Sequence, residues 1–360
     1  MTIMKIRGGD LDLVEYEFCS FYPGECLHID DIIVSHEPHS AGNTITVRVP
    51  ARIHLSVLDM NRFSPGTPGG GGFGFAIQIY CEATVTCTPG AVVVDSPRMH
   101  LIEHLVAAFK AVTGYSGGFT VKTVDYGKEH VGLGSTCTIA TAVVTAMNEA
   151  TCCPLSLESV RMLIGHNYVE ETEEEGKVAF GFETGVGSAA SIYGGMTIVG
   201  DQLIRVYNHP FAESRNVFVV IPHTHDIDAN AGHEEFTLLM NRARILDYRD
   251  RELKAYLLMM DLIPSLARGN LKEMGDIMEE IEFRGSKRAE VQHHTFFLYQ
   301  YMNSLRHAGL EFVAMSSVGP SVCIVTEKSA AEVQLILDPL SLEIAVATKV
   351  DNKGVVVTKT

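Results

Sequence analysis

Three turns rich in glycine and serine constrain this chain more than any other feature of it. The first, His130-Val131-Gly132-Leu133-Gly134-Ser135-Thr136, lies between a strand predicted at 119–124 and a helix of small residues predicted over 136–150. Its glycines free the backbone to aim N–H groups at one point. The helix start adds the positive end of its dipole, and the Ser135 and Thr136 hydroxyls reach phosphate oxygens or a metal. This is an anion cradle, although not the P-loop, because GxxxxGK followed by Ser or Thr is absent. Taken alone, such a turn also serves packing. Two further turns, Thr184 to Gly195 (TGVGSAASIYGG) and Met315 to Val322 (MSSVGPSV), repeat the pattern between apolar strands.

Composition narrows the partners. At about 150 residues per domain, 360 residues predict two or three domains and a sizeable core. The formal charge of −16 argues against a nucleic-acid binder, which needs clustered Lys and Arg. Val217–Ile221 is an apolar run of strand length, far short of the about 20 residues that cross a bilayer as a helix. The opening Met1-Thr2-Ile3-Met4-Lys5 lacks the apolar core of a secretion signal, so a soluble, cytoplasmic protein is expected, with no membrane partner. Eight cysteines without a CxxC pair suit a reduced compartment.

Periodicity predicts a hairpin or edge element within 1–42, strands from Ile45 and over 73–87, and a helix over 99–113. Further helices are expected at 235–246, 250–267, 270–282, 291–308 and 329–337, and the acidic run Glu170–Glu175 reads as a solvated helix end or loop.

The three turns, in this order, resemble the motifs of the GHMP superfamily, the kinases of galactose, homoserine, mevalonate and phosphomevalonate. The resemblance covers about 45–345. It implies an α+β, GHMP-kinase-like fold: an extension at 1–42, a ribosomal-protein-S5-like N-terminal domain at 43–205 and a ferredoxin-like C-terminal domain at 206–360. In mevalonate-type kinases the second motif carries an Asp that accepts or orients the alcohol proton. Here the matching position is Gly187. A substitute carboxylate such as Glu183 keeps an ATP-dependent kinase open as an alternative, and a non-catalytic phosphometabolite-binding protein is another.

A non-kinase branch has that same glycine: the beta-ribofuranosylaminobenzene 5'-phosphate synthases of methanopterin biosynthesis. Five separated strings resemble it in order. They are Arg52–Asn61 (RIHLSVLDMN), Gly71–Ala76 (GGFGFA), His130–Thr136, Gly285–Val291 (GSKRAEV) and Ser316–Pro320 (SSVGP). The chain departs from that family where Gly69–Gly72 replaces an Asp-containing turn and where Ala179–Phe182 lacks an Arg, and its first 47 residues have no counterpart. C-nucleoside antibiotic synthases, which use a pyrazole dicarboxylate, are the other relatives implied.

The resemblance implies joining C1 of phosphoribosyl pyrophosphate to a ring carbon of an aromatic or heteroaromatic acid, with loss of pyrophosphate and CO₂. Such a site holds about four to five negative charges, so local donors and Mg²⁺ must offset the global charge. Gly132, Gly134, Ser135 and Thr136 are the expected pyrophosphate cradle. Gly185, Gly187 and Ser188 form a second cluster, and Ser317 with Gly319 a third. Arg52 is the expected bidentate clamp, the rival being a surface strand residue. Lys287 and Arg288 neutralise phosphate or are solvated charges.

Asp59 is expected beneath the oxocarbenium or on Mg²⁺, with Glu183 next; a turn-capping carboxylate is the rival for each. His54 shares a strand face with Arg52 and Ser56, and serves proton transfer or carboxylate binding, or is structural. His223 and Phe73 are expected in the acceptor pocket. His223/His225/Asp226 and His100/Glu103/His104 have metal-ligand spacing, but ligand types alone do not make a zinc site and none is expected. A homodimer is expected.

Overall fold

The computed structural model describes residues 3–6, 14–127, 131–222, 233–294 and 296–360. A hairpin of β1 (Ile3–Ile6) and β2 (Val14–Glu17) opens the chain. β3 (Ile45–Val57) and β4 (Gly72–Thr88) follow, paired antiparallel with bulges near Pro50 and Ser56. Then come β5 (Val93–Asp95), α1 (Met99–Thr113), β6 (Gly118–Val124) and α2 (Ser135–Ala150). Gly114 ends α1 in the left-handed conformation, its N–H returning to the Lys110 carbonyl.

α3 (Leu157–His166) leads to a hairpin of β7 (Val169–Glu171) and β8 (Val178–Phe180). The acidic run Glu170–Glu175 is therefore a strand end and hairpin turn, not a helix end. Antiparallel pairing to the buried Val178–Phe180 strand holds Glu170 and Glu171 extended.

α4 (Val186–Tyr193), β9 (Met196–Val199), β10 (Arg205–His209) and β11 (Asn216–Val220) lead into the helical region. That region contains α5 (His233–Tyr256), a π-helical stretch at Leu257–Leu262, α6 (Ile263–Arg268), α7 (Leu271–Glu282), α8 (Gly285–His294) and α9 (Phe296–His307). α5 runs unbroken across 247–249, where periodicity predicted a gap. Asp247 and Lys254 interrupt the apolar pattern yet are buried together as an ion pair. β12 (Phe312–Met315), β13 (Val322–Thr326), α10 (Ala330–Leu337), β14 (Ile344–Thr348) and β15 (Val356–Lys359) complete the order.

The first sheet runs β10-β9-β4-β3-β15, with β6 and β5 added along the second half of β4; the second runs β12-β13-β11-β14. The last strand thus returns to the first sheet beside β3. β10 spans the boundary expected at 205/206 and also lies in the first sheet. One core fills the space between the first sheet and α1 and α2. A second joins the two sheets: Ile53, Leu55, Phe73 and Phe75 pack with Val217, Val219, Phe312 and Cys323. Both faces of β11 are buried, Val217 and Val219 in that core and Phe218 and Val220 in a third core against α9 and α10. This explains its continuous apolar run. Odd-numbered β3 residues feed the cores, which leaves Arg52 and His54 on the opposite face.

Candidate active site

That opposite face of β3 opens onto a cavity of about 820 Å³ where the three glycine turns meet. Gly134 adopts φ 75° as the residue before α2, and a Cβ there would stand 2.6 Å from Arg52 Cζ. Only glycine lets the guanidinium lie on the turn. Arg52 Nη1 donates to the Gly132 carbonyl at 2.9 Å, while its buried Nε has no partner among the described residues. That unmet donor lies beside Gly187, where an added Cβ would be 3.7 Å from Nε and 2.5 Å from Cys137 Sγ. At the position that carries an Asp in the mevalonate-type motif, a side chain here would require the Cys137 thiol to move.

The third turn docks on the first: Ser316 Oγ donates to the Gly132 carbonyl at 2.7 Å, and Ser317 N–H to the His54 carbonyl at 2.7 Å. Arg98, a buried cation that the sequence reading missed, donates from Nη1 to Thr136 Oγ1 (3.2 Å) and from Nη2 to Ser135 Oγ (3.4 Å). Each hydroxyl accepts from Arg98 and so keeps its own O–H for a ligand.

Burial pushes the His54 imidazole well below its ordinary range, and the Arg52 and Lys287 charges add to this. It is neutral at physiological pH, with Nε2 at 3.3 Å from Thr184 Oγ1. Burial raises the Glu183 carboxyl, opposed by the Gly185 N–H at 2.5 Å and by Arg52 and Arg161. Glu183 therefore both caps its own turn and stands in the cavity wall.

Most of the expected site converges: the anion-binding Arg52, Gly132, Gly134, Ser135, Thr136, Gly187, Ser317 and Gly319 and the expected catalytic His54 and Glu183 all line the cavity. Gly185 and Ser188 support it from within the α4 start, where Ser188 Oγ donates back to Gly185 O at 3.4 Å. Other expected residues lie elsewhere. Asp59 does not line the cavity. Its carboxylate caps the turn at Met60–Arg62 through the Asn61 N–H at 2.9 Å and faces Arg251 at 3.6 Å. Phe73 is buried in the core between the sheets, because β4 alternation turns it away from the cavity.

Lys287 is neither solvated nor in the wall. It is buried, pairs with Glu290 at 2.7 Å and donates to Ser317 O at 2.7 Å, so it holds the third turn. Arg288 is half-buried and outside the wall. His223, His225, Asp226 and His130 lie outside the described residues. His104 is buried against Phe21 and Phe180, and His100 pairs with Glu103. Among the described residues no three His, Cys, Asp or Glu converge as a metal site, and no helix is long and apolar enough to cross a membrane. Asp59, engaged as a cap, does not fit the expected Mg²⁺ ligand.

The other half of the cavity is aromatic. Phe18, Phe63, Tyr168, Phe180 and Phe182 line it, with Met60 and Met240. These residues come from five separate stretches of chain, and no local pattern announces them.

No protein-family model matches the chain. Among curated proteins it is similar to the beta-ribofuranosylphenol 5'-phosphate synthase of Archaeoglobus fulgidus, 24% identical over 338 residues, which cover 86% of this chain and 98% of the relative. The enzyme of the same name from Methanothermobacter thermautotrophicus is 22% identical over 319 residues, covering 80% and 91%. Both names specify a phenol riboside, where the motifs resembled an aminobenzene branch. Among solved structures, it is similar to homoserine kinase from Cytophaga hutchinsonii (TM-score 0.61, 13% identity, 89% of this chain and 99% of that one). It is equally similar to mevalonate diphosphate decarboxylase from Staphylococcus aureus (TM-score 0.61, 15% identity, 88% and 98%).

Proposed function

From a GHMP-kinase-like α+β fold, and from similarity to ribofuranosylphenol phosphate synthases along most of the chain, we propose that this protein is a decarboxylating phosphoribosyltransferase. It joins C1 of phosphoribosyl pyrophosphate to the carboxyl-bearing ring carbon of an aromatic acid, in methanopterin-type biosynthesis. The new C–C bond forms as pyrophosphate leaves. The carboxylate then departs as CO₂, and its bonding electrons restore the aromatic ring, so no oxidant is needed.

The observation that carries this reading is the cavity at Gly187. No carboxylate stands at that position, and a side chain there would press on Cys137 Sγ, while the glycine turns around it line one cavity. The cradle of Gly132, Gly134, Ser135 and Thr136, with the free Nε of Arg52, takes the pyrophosphate. Glu183, in the wall beside Arg52, is the carboxylate assigned to the developing cation at C1. Neutral His54 donates or accepts a hydrogen bond at the reacting end without adding charge. Mg²⁺ enters only as the counter-ion carried by the donor's pyrophosphate. A homodimer in the cytoplasm remains part of this proposal.

The test is stoichiometry. With phosphoribosyl pyrophosphate, Mg²⁺ and 4-hydroxybenzoate, the protein should release pyrophosphate and CO₂ in equal amounts. ADP formation from ATP and an alcohol, without CO₂ release from the acid, would establish the kinase instead.

A further inference from the structure

The aromatic half of the cavity contains a residue with no counterpart in the family motifs, which begin only after residue 47. That residue is Phe18, and the segment bearing it is built into the fold. Phe21 exchanges backbone hydrogen bonds with Val178 of β8 at 2.9 and 3.0 Å. Its buried ring packs on Phe180 (4.9 Å between centroids) and His104 (5.5 Å). Gly24 N–H donates to His104 Nδ1 at 3.3 Å, and Asn167 both accepts from His28 N–H (2.9 Å) and donates to its carbonyl (2.7 Å).

Held this way, the segment sets Phe18 edge-on to Phe182 (6.2 Å, 76°), which is itself edge-on to Phe63 (5.7 Å, 89°). On the other side, β2 lies alongside α5, which brings Met240 to the same wall. Beside Phe182, a Cβ on Gly181 would meet the Tyr168 ring at 2.8 Å and Glu170 Cγ at 3.3 Å. Tyr168 donates its hydroxyl to Glu170 at 3.0 Å, and Glu170, Glu171 and Thr172 continue the wall.

Building on the transferase reading above, we propose that the N-terminal segment, through Phe18, completes the acceptor subsite, and that Glu170 and Glu171 in the same wall disfavour an acid with a second carboxylate on its ring. Phe18 and Phe182 enclose the ring in apolar surface with aromatic edges and faces. Glu170 and Glu171 stand in the subsite wall, where they repel a second carboxylate on the ring. The reacting carboxyl then points toward Arg52 and the cradle, where the new bond forms. Dicarboxylate acceptors are thereby disfavoured.

Calorimetric titration tests this with 4-hydroxybenzoate, terephthalate and phosphoribosyl pyrophosphate as separate probes. Wild type should bind 4-hydroxybenzoate and not terephthalate. Phe18→Ala should weaken 4-hydroxybenzoate about tenfold, the scale of one aromatic contact with its buried area, and leave the donor unchanged. Phe18→Tyr should restore the acid, and Glu170→Gln should narrow its preference over terephthalate. Unchanged acid affinity in Phe18→Ala overturns the proposal. Should the alanine variant lose both ligands together, Phe18→Leu, which keeps the apolar volume, decides the case. Selective loss of the acid there supports the subsite, and unchanged acid affinity overturns it. The transferase reading fails separately: wild type would bind the acid yet release no CO₂ with the donor.

Discussion

The two halves of the cavity are built in opposite ways. The anion half consists of backbone turns, each encoded by a few consecutive residues, the third joined to the first by Ser316 Oγ donating to Gly132 O at 2.7 Å. The aromatic half consists of side chains from five distant stretches, one of them in the N-terminal segment. Backbone N–H groups at a helix start grip any phosphate, so the first half suits a whole superfamily. Ring packing discriminates shape, so on the proposed transferase reading acceptor identity resides in the second. Reaction class and substrate choice are therefore separable here.

Four measurements break or sharpen that separation. Gly134→Val has the largest expected effect. The left-handed φ of 75° and the Arg52 guanidinium 2.6 Å from a Cβ leave no room, so donor binding by calorimetry should vanish while circular dichroism shows a folded chain. Retained binding would make the turn purely structural. Arg52→Ala should cost about 1.5–3 kcal/mol of donor affinity, the scale of a charge-assisted contact, with the acid far less affected. Equal losses for donor and acid would erase the division between halves.

Arg98→Met removes the donor behind the Ser135 and Thr136 hydroxyls and should weaken pyrophosphate by roughly 1.5 kcal/mol. An unchanged inhibition constant for pyrophosphate would show that those hydroxyls need no orienting.

The smallest effect is on stability. His104 behind the aromatic half and His294 behind the third turn are both lowered by burial from 6.5 to about 4. Between those values the unfolded chain binds protons that the folded chain refuses, so stability is present above pH 6.5 and is lost as pH falls toward 4. Denaturant titrations should lose about 1 kcal/mol per histidine between pH 6.5 and 5.5. A flat profile would mean that neither imidazole is shielded from protonation in the folded chain.

What the sequence made legible follows the same division. α1 was readable to the residue because Leu101, Leu105, Ala108 and Phe109 repeat at helical spacing, and the glycine turns were readable because their chemistry is local. The sharing of one strand face by Arg52 and His54 follows from strand alternation. Asp59 was misplaced because a catalytic carboxylate and a turn cap look alike until the Asn61 N–H is seen to fill it. Phe73 was misplaced by half a strand period. Lys287 was expected at phosphate or in solvent because nothing nearby in sequence reveals Ser317 O waiting for its ammonium. Phe18, Phe63 and Phe182 meet only after folding, and Arg98 reaches the cradle from the start of α1, 37 residues before Ser135.

The central claim is that the glycine cradle holds pyrophosphate as a leaving group while carbon attacks C1. Carbon NMR of the product from donor labelled with ¹³C at C1 and acid labelled with ¹³C at the carboxyl-bearing ring carbon tests it directly. One-bond coupling between the two labels is expected, with loss of the carboxyl carbon as CO₂. An uncoupled C1 signal from a riboside joined through oxygen or nitrogen, with the carboxyl retained, would contradict it.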